Sequence, residues 1–320
     1  MVIIDCKKIV CPKCKNKEII RYGWQDGKQI YFCKDCKRKF RINKLKNKTY
    51  SPKIITNAIT YYNLGYTLKE TVKLINMRFK VKISVVSVHY WIKEFKNICS
   101  YQRLRPNVMK KYNIVKRKIN IIEFFSFKHS GLTYNFMYHK PKLEMLSYRF
   151  ISLKKYLISM KDVCPSDFFN ENERCSQLQI DVIIKKEGKY NQACRLADLA
   201  LGACFKNCER HNFVEKFMLI NDSSTIACEV PVWFWEKNFD LGICGHIDLL
   251  QIRKNKIYIL DFKPGARKVK EKKVASQLYF YALGLSFRTK IPLNFFRCAW
   301  FDENVYYEFN PMNLKVIISK

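Results

Sequence analysis

Two β-forming runs, residues 243–252 and 257–263, restrict this chain's fold more than any other feature, because only the polar Arg253-Lys254-Asn255-Lys256 separates them. Short runs of β-formers flanking a polar link read as a hairpin. With Lys254-Asn255 as a two-residue turn the register follows: Ile252 faces Ile257, Leu250 faces Ile259 and Asp248 faces Asp261. Facing side chains lie on one face with Cβ atoms about 4.5–5.5 Å apart. Lys263, two residues beyond Asp261, returns to that face because strand side chains alternate. Facing carboxylates repel unless a cation lies between them, and acids in an apolar strand are costly without a partner. Bonds of about 2.0–2.1 Å from Mg²⁺ to oxygen let one ion bridge such a pair. A metal site on Asp248 and Asp261, attended by Lys263, is therefore expected, against the alternative of a structural Asp–Lys pair at a sheet edge. Glu229, in Cys228-Glu229-Val230-Pro231, is either a further carboxylate ligand or an ordinary strand-edge acid. Gln277 and Tyr281 stand at i and i+4 and share a helix face; by spacing alone they are ordinary amphipathic positions.

Charge points to a polyanionic partner. The 320 residues carry a formal +33, and +24 of it falls in residues 1–130, where 31 Lys/Arg meet 7 Asp/Glu. So localised an excess predicts DNA as partner. The 48% apolar content supports packed cores and excludes a disordered chain. The start, Met1 to Cys6, lacks the ordered regions of a signal peptide, so a cytoplasmic location is expected. The uncharged stretch 274–287 is too short to span a bilayer, and no membrane partner is expected. In a reducing compartment fourteen cysteines imply metal binding and buried thiols more than disulfides.

Cys11-Pro12-Lys13-Cys14 and Cys33-Lys34-Asp35-Cys36 are two CxxC knuckles with eighteen residues between them. Asp26-Gly27 between β-formers marks a hairpin linking them. Two knuckles complete a four-thiolate zinc site, closed and therefore structural. Three short helices follow. Ser51-Pro52 opens the first, Thr67-Leu68-Lys69-Glu70 is a capping box for the second, and the third starts near Ser84. This order suggests a helix-turn-helix whose third helix turns Ser87, His89, Tyr90 and Lys93 toward a major groove.

Two resemblances attach to these residues. The knuckles with Arg21-Tyr22-Gly23, Gln29 to Phe32 and Phe40 resemble the zinc ribbon of prokaryotic insertion-sequence transposases. Leu64 to Glu70 and Trp91-Ile92 resemble the helix-turn-helix that follows it there. The likeness covers about residues 8–97 and implies recognition of DNA. No convincing DDE spacing follows, so transposition does not carry over.

The second resemblance covers roughly residues 146–312. Gly245-His246-Ile247-Asp248, Ile259 to Gly265 and Gln277 followed by Tyr281 together resemble the PD-(D/E)XK nucleases of the RecB-like exonuclease branch, which includes CRISPR-associated exonucleases. It implies an α/β (α+β) core with a central mixed sheet flanked by helices, catalytic Mg²⁺ or Mn²⁺, and functional weight on Gln277 and Tyr281. It also implies an upstream metal-binding histidine. His211 is best placed, with a surface histidine among Lys206, Arg210 and Lys216 as the alternative. Some of that branch hold an iron–sulfur cluster. Cys164 stands at the first ligand's place, but only Cys298 lies beyond Tyr281, so no cluster of that type is expected.

The expected organisation is a multidomain chain: zinc ribbon 1–48, helix-turn-helix 49–100, a basic linker and extra hairpin 101–145, and a nuclease-like domain 146–320. Within the third part, residues 103–118 read as linker, and 119–125 and 132–138 as strands. The expected function is a metal-dependent DNA nuclease, exonuclease-like, in which Asp248, Asp261, Lys263, Gln277 and Tyr281 act and Asp248, Asp261, Glu229 and His211 bind metal. The alternative is a DNA-binding regulator or mobile-element protein with an inactive nuclease-like domain.

Overall fold

The computed structural model describes residues 11, 13–14, 16–25, 28–40, 49–112, 120–183, 185–204, 210–237 and 240–317. The chain forms two compact units, residues 1–55 and 56–320. In the first, β1 (Ile19–Gln25), β2 (Lys28–Cys33) and β3 (Lys39–Phe40) make a small antiparallel sheet. Gln25 pairs with Lys28; the Asp26-Gly27 turn itself lies outside the described residues.

Helix α1 (Pro52–Asn63) starts at its proline. Helix α2 (Leu68–Phe79) carries the expected capping box: Glu70 N–H donates to Thr67 Oγ1 at 3.2 Å, and Thr67 N–H donates to Glu70 Oε2 at 2.7 Å. Ser84 caps α3 (Val85–Phe95) by accepting from Ser87 N–H at 3.1 Å. This helix buries Val88, Trp91, Ile92 and Phe95, a 3.6-residue repeat. One expectation fails next. The basic stretch 103–118 is not all linker, because α4 (Arg105–Tyr112) forms within it. Pro106 stands in its first turn, where a missing N–H breaks no helical hydrogen bond. Residues 113–119 lie outside the described residues.

β4 (Ile122–His129) and β5 (Leu132–His139) form a hairpin around Ser130 and Gly131, both at positive φ. Then come α5 (Lys140–Leu146), α6 (Ile151–Val163), α7 (Ser166–Glu171), β6 (Glu173–Arg174), β7 (Asp181–Ile183), β8 (Lys186–Lys189), α8 (Gln192–Ala203) and α9 (Arg210–Asn221). The long strands β9 (Thr225–Glu236), β10 (Leu241–Arg253) and β11 (Lys256–Phe262) follow, then α10 (Glu271–Thr289), β12 (Phe296–Phe301), β13 (Tyr306–Phe309) and β14 (Lys315–Ile317).

Nine strands make one mixed sheet in the order β4-β5-β9-β10-β11-β12-β13-β8, with β6 beside β10. The β11–β12 and β10–β6 pairs are parallel and the others antiparallel. Helices flank the sheet: α10 lies against β9 to β12, and α9 against β5, β9 and β10. Strand β10 is buried continuously from residue 242 to 252, the mark of a strand covered on both faces. The hairpin register is the one counted from the sequence, from Arg253–Lys256 to Leu249–Leu260. Lys254 and Asn255 both adopt positive φ, as a type I′ turn requires.

The C-terminal end of α9 is anchored on several sides. Asp222 Oδ2 accepts from Ser224 Oγ at 2.6 Å, Thr225 N–H at 2.9 Å and Gln251 Nε2 at 3.1 Å, so the helix turns sharply into β9. The fully buried Lys142 ammonium donates to the Leu219 and Asp222 carbonyls, where cations complement the helix dipole. Asn63 Nδ2 donates to Asn221 Oδ1 at 2.8 Å, and Asn221 Nδ2 to Thr60 Oγ1 at 3.1 Å. Ser100 Oγ donates to Asp222 Oδ1 at 3.2 Å. Residues 56–112 and the sheet are thus tied into one unit through this helix end.

Helix α10 approaches β9 closely at Gly284, where a Cβ would lie 2.7 Å from Val232 Cγ2 and 2.8 Å from Phe234 Cδ1. Gly284→Val overpacks this contact, and a loss of about 1–3 kcal/mol is expected in the unfolding free energy; a urea midpoint equal to that of the parent chain would refute the close approach.

Candidate functional site

The larger unit draws acidic, basic and imidazole side chains together across three adjacent strands, β9, β10 and β11. Asp248 lies on β10 and Asp261 on β11, with Lys263 just past it, where its N–H donates to Phe301 O at 2.9 Å. The Ile247–Val230 and Leu249–Cys228 pairs put Glu229 of β9 opposite Asp248. Glu229 sits at φ +51°, a left-handed conformation that costs a non-glycine residue roughly 1–2 kcal/mol. Strain of that kind inside a strand gathers where a side chain must be aimed. His211 and Glu215 come from α9, one turn apart, and Gln277 and Tyr281 from α10, also one turn apart.

The contacts are short. His211 Nε2 lies 3.0 Å from Asp248 Oδ2 and 2.9 Å from Glu215 Oε1. Asp248 Oδ2 also accepts from Phe262 N–H at 2.9 Å. Lys263 Nζ lies 2.9 Å from Asp261 Oδ2, while Asp261 Oδ1 is buried with no hydrogen bond among the described residues. Gln277 Nε2 donates to Tyr281 Oη at 3.0 Å. Gly245 admits that phenol: a Cβ there would stand 2.6 Å from Tyr281 Cε1.

Four buried or half-buried carboxylates thus face two cations, and their ionisation splits accordingly. Burial opposes the charge on Asp248, but His211 outweighs it and holds the carboxyl well below the usual range. Burial and the Asp248 charge push Asp261 well above that range. Burial, then Glu215 and Asp248, push Glu229 up to about 9. Burial pushes Glu215 up to about 7 against the pull of His211. Burial also opposes the imidazolium, yet Asp248 and Glu215 raise His211 to about 11. Carboxylates crowded in this way keep protons that a divalent cation would displace. The ligand atoms of His211, Glu215 and Glu229 lie within 4.8 Å of one another, a spacing that could hold a metal ion.

Every residue singled out from the sequence for chemistry, Asp248, Asp261, Lys263, Glu229, His211, Gln277 and Tyr281, lies in this cluster or lines its cavity. Glu215 went unread. Its only signal was the i, i+4 spacing from His211, which puts both on one helix face. The cavity measures about 280 Å³, and Tyr134, Arg174, Ser176 and His246 also line it. Compared with known family models, curated proteins and solved structures, the chain matches none. No helix among the described residues is long and apolar enough to cross a membrane.

The smaller unit holds a second cluster. Cys11 Sγ lies 3.4 Å from Cys36 Sγ, Cys14 Sγ lies 3.5 Å from Cys33 Sγ, and all four sulfurs fall within 4.8 Å of each other. All four are free thiols, and the separations are far beyond a disulfide's. Such a group can bind a metal such as zinc in tetrahedral geometry. Among the described residues Cys164, Cys175, Cys194, Cys204 and Cys298 join no such group, and Cys208 lies outside the described residues. About one equivalent of zinc is expected to copurify with the full chain, and Cys14→Ser is expected to abolish its retention. Equal zinc content in the two proteins by mass spectrometry would refute the four-cysteine site.

Proposed function

We propose that the protein is a Mg²⁺- or Mn²⁺-dependent DNA nuclease, exonuclease-like in action, whose zinc ribbon and three-helix segment bring DNA to a PD-(D/E)XK-type centre. One observation carries this reading: four carboxylates, a histidine and a lysine from four elements, β9, β10, the end of β11 and α9, cluster around one cavity on a mixed sheet. The donor set fits a hard divalent cation, because carboxylate oxygens dominate it and Asp261 Oδ1 has no partner among the described residues. Asp248 and Asp261, with Glu229, Glu215 and His211, would hold the ion. When bound, it supplies charge neutralisation at a phosphate and a lowered pKa for a water.

The chain's own groups do the positioning. Lys263, anchored on Asp261, orients the attacking water and stabilises charge that develops on the phosphoryl oxygens. Gln277 holds the Tyr281 phenol over the cavity, where its O–H can donate to a phosphate oxygen. DNA fits the +33 charge and the face of α3, on which His89, Tyr90 and Lys93 are exposed while Ser87 is half-buried.

Labelled single- and double-stranded DNA with Mg²⁺ or Mn²⁺ tests the proposal. Asp261→Ala and Lys263→Ala are each expected to slow cleavage by about 10²–10³-fold, and Glu215→Ala to raise the metal concentration needed for half-maximal rate. Undiminished cleavage by the first two would overturn the assignment. DNA binding by the parent chain without metal-dependent cleavage would favour a regulator instead.

A further inference from the structure

The cavity has a second, basic end. Strand β6 pairs in parallel with β10, Cys244 opposite Arg174, and Cys175 N–H donates to Cys244 O at 2.8 Å. This fixes Arg174 beside Gly245 and His246, where it lines the carboxylate cavity. The Arg174 guanidinium donates to Tyr134 Oη, and no carboxylate pairs with it among the described residues. A half-buried guanidinium that faces the cavity with no carboxylate in ion-pair contact is poised for an anionic ligand.

His246 supplies the second observation. Only 6% exposed, it lines the same cavity. The Tyr134 ring stacks on it at 3.6 Å and 5°, and its Nε2 lies 2.8 Å from His129 Nδ1. Its Nδ1 is buried with no hydrogen-bond partner among the described residues. His129 Nε2 in turn lies 3.9 Å from the Cys164 sulfur. An anionic oxygen at Nδ1 selects the tautomers in which the Cys164 S–H donates to His129 and His129 Nδ1–H donates to His246 Nε2, with the hydrogen of a neutral His246 on Nδ1. The imidazole then offers that oxygen one N–H.

The void on the other side of Arg174 and His246 measures about 10 Å³ and is bounded also by His129, Ser130 and Phe169, room for about one water. A nucleotide does not fit in it.

We infer that Arg174 and His246, with the Ser176 hydroxyl nearby, form a phosphate subsite that receives the terminal phosphate of a DNA strand next to the carboxylate cluster. This rests on the nuclease reading for its substrate but not for its chemistry: a planar guanidinium and a fixed N–H recognise a phosphate oxygen whether or not cleavage follows. Arg174 is then a substrate-binding group that sets end preference.

Two measurements on the full chain test the subsite. The first is calorimetric titration of inorganic phosphate with metal chelated, so that no cleavage is involved. The parent chain is expected to bind, with affinity at least about 10-fold weaker in Arg174→Gln and partly kept in Arg174→Lys, because the Gln variant loses a charged hydrogen-bonded contact that the Lys variant partly restores. Unaltered melting temperatures show that the variants fold. His246→Asn, which keeps a donor in a smaller side chain, is expected to fall between them. Phosphate binding equal in the parent and Arg174→Gln, or absent from the parent, overturns the subsite. The second measurement compares strands bearing 5′-phosphate, 3′-phosphate or hydroxyl ends. One phosphorylated end is expected to lower KM about 10-fold in the parent, a preference lost in Arg174→Gln. Equal KM for all ends overturns terminal recognition. Arg174-dependent phosphate binding by a chain that cleaves no DNA upholds the subsite while the nuclease reading falls.

Discussion

Burial of Asp248 as a charged group is the constraint on which the site depends. A carboxylate inside a strand covered on both faces stays ionised only if its charge is answered, and His211 and the Phe262 N–H answer it within about 3 Å. Those two contacts come from different elements, α9 and the end of β11. They therefore fix where the helix and the hairpin must sit relative to β10. Once Asp248 holds its charge, Asp261 and Glu229 cannot easily hold theirs in the same low-dielectric space. The cluster is an acidic pocket kept partly protonated by its own crowding.

Helix α9 carries this arrangement into the rest of the larger unit. Its first turns present His211 and Glu215 to the carboxylates; its last turn is held by Lys142, Asp222 and Asn221. The partners at that far end include Thr60, Asn63 and Ser100, from the helical segment proposed to meet DNA. Buried polar contacts of this kind set position more than stability. The helix is thereby a rigid element shared by the two halves of the proposed activity.

Much of the fold was legible. The capping box, the Ser–Pro start and the Ser84 N-cap marked α1 to α3 because local hydrogen bonds decide where helices begin. The Lys254-Asn255 turn set the hairpin register because a two-residue turn leaves no other pairing. The four-cysteine group was legible from spacing, since two knuckles can close on one ion. Helix α4 was missed because Pro106 and a basic composition look like linker when the favourable first-turn position of the proline is overlooked.

The site divides in the same way. By itself the sequence determined the hairpin register as far as Leu249–Leu260, which brings Asp248, Asp261 and Lys263 near one another, and the shared helix face of Gln277 and Tyr281. All follow from the fixed periods of strand and helix. Tertiary structure alone placed Glu229 and His211 beside Asp248 in one cluster. It alone brought in Glu215 and set Arg174 and His246 at the basic end of the cavity. These side chains belong to elements far apart along the chain. Their meeting depends on how α9 and β6 pack on β10, and no local period encodes that.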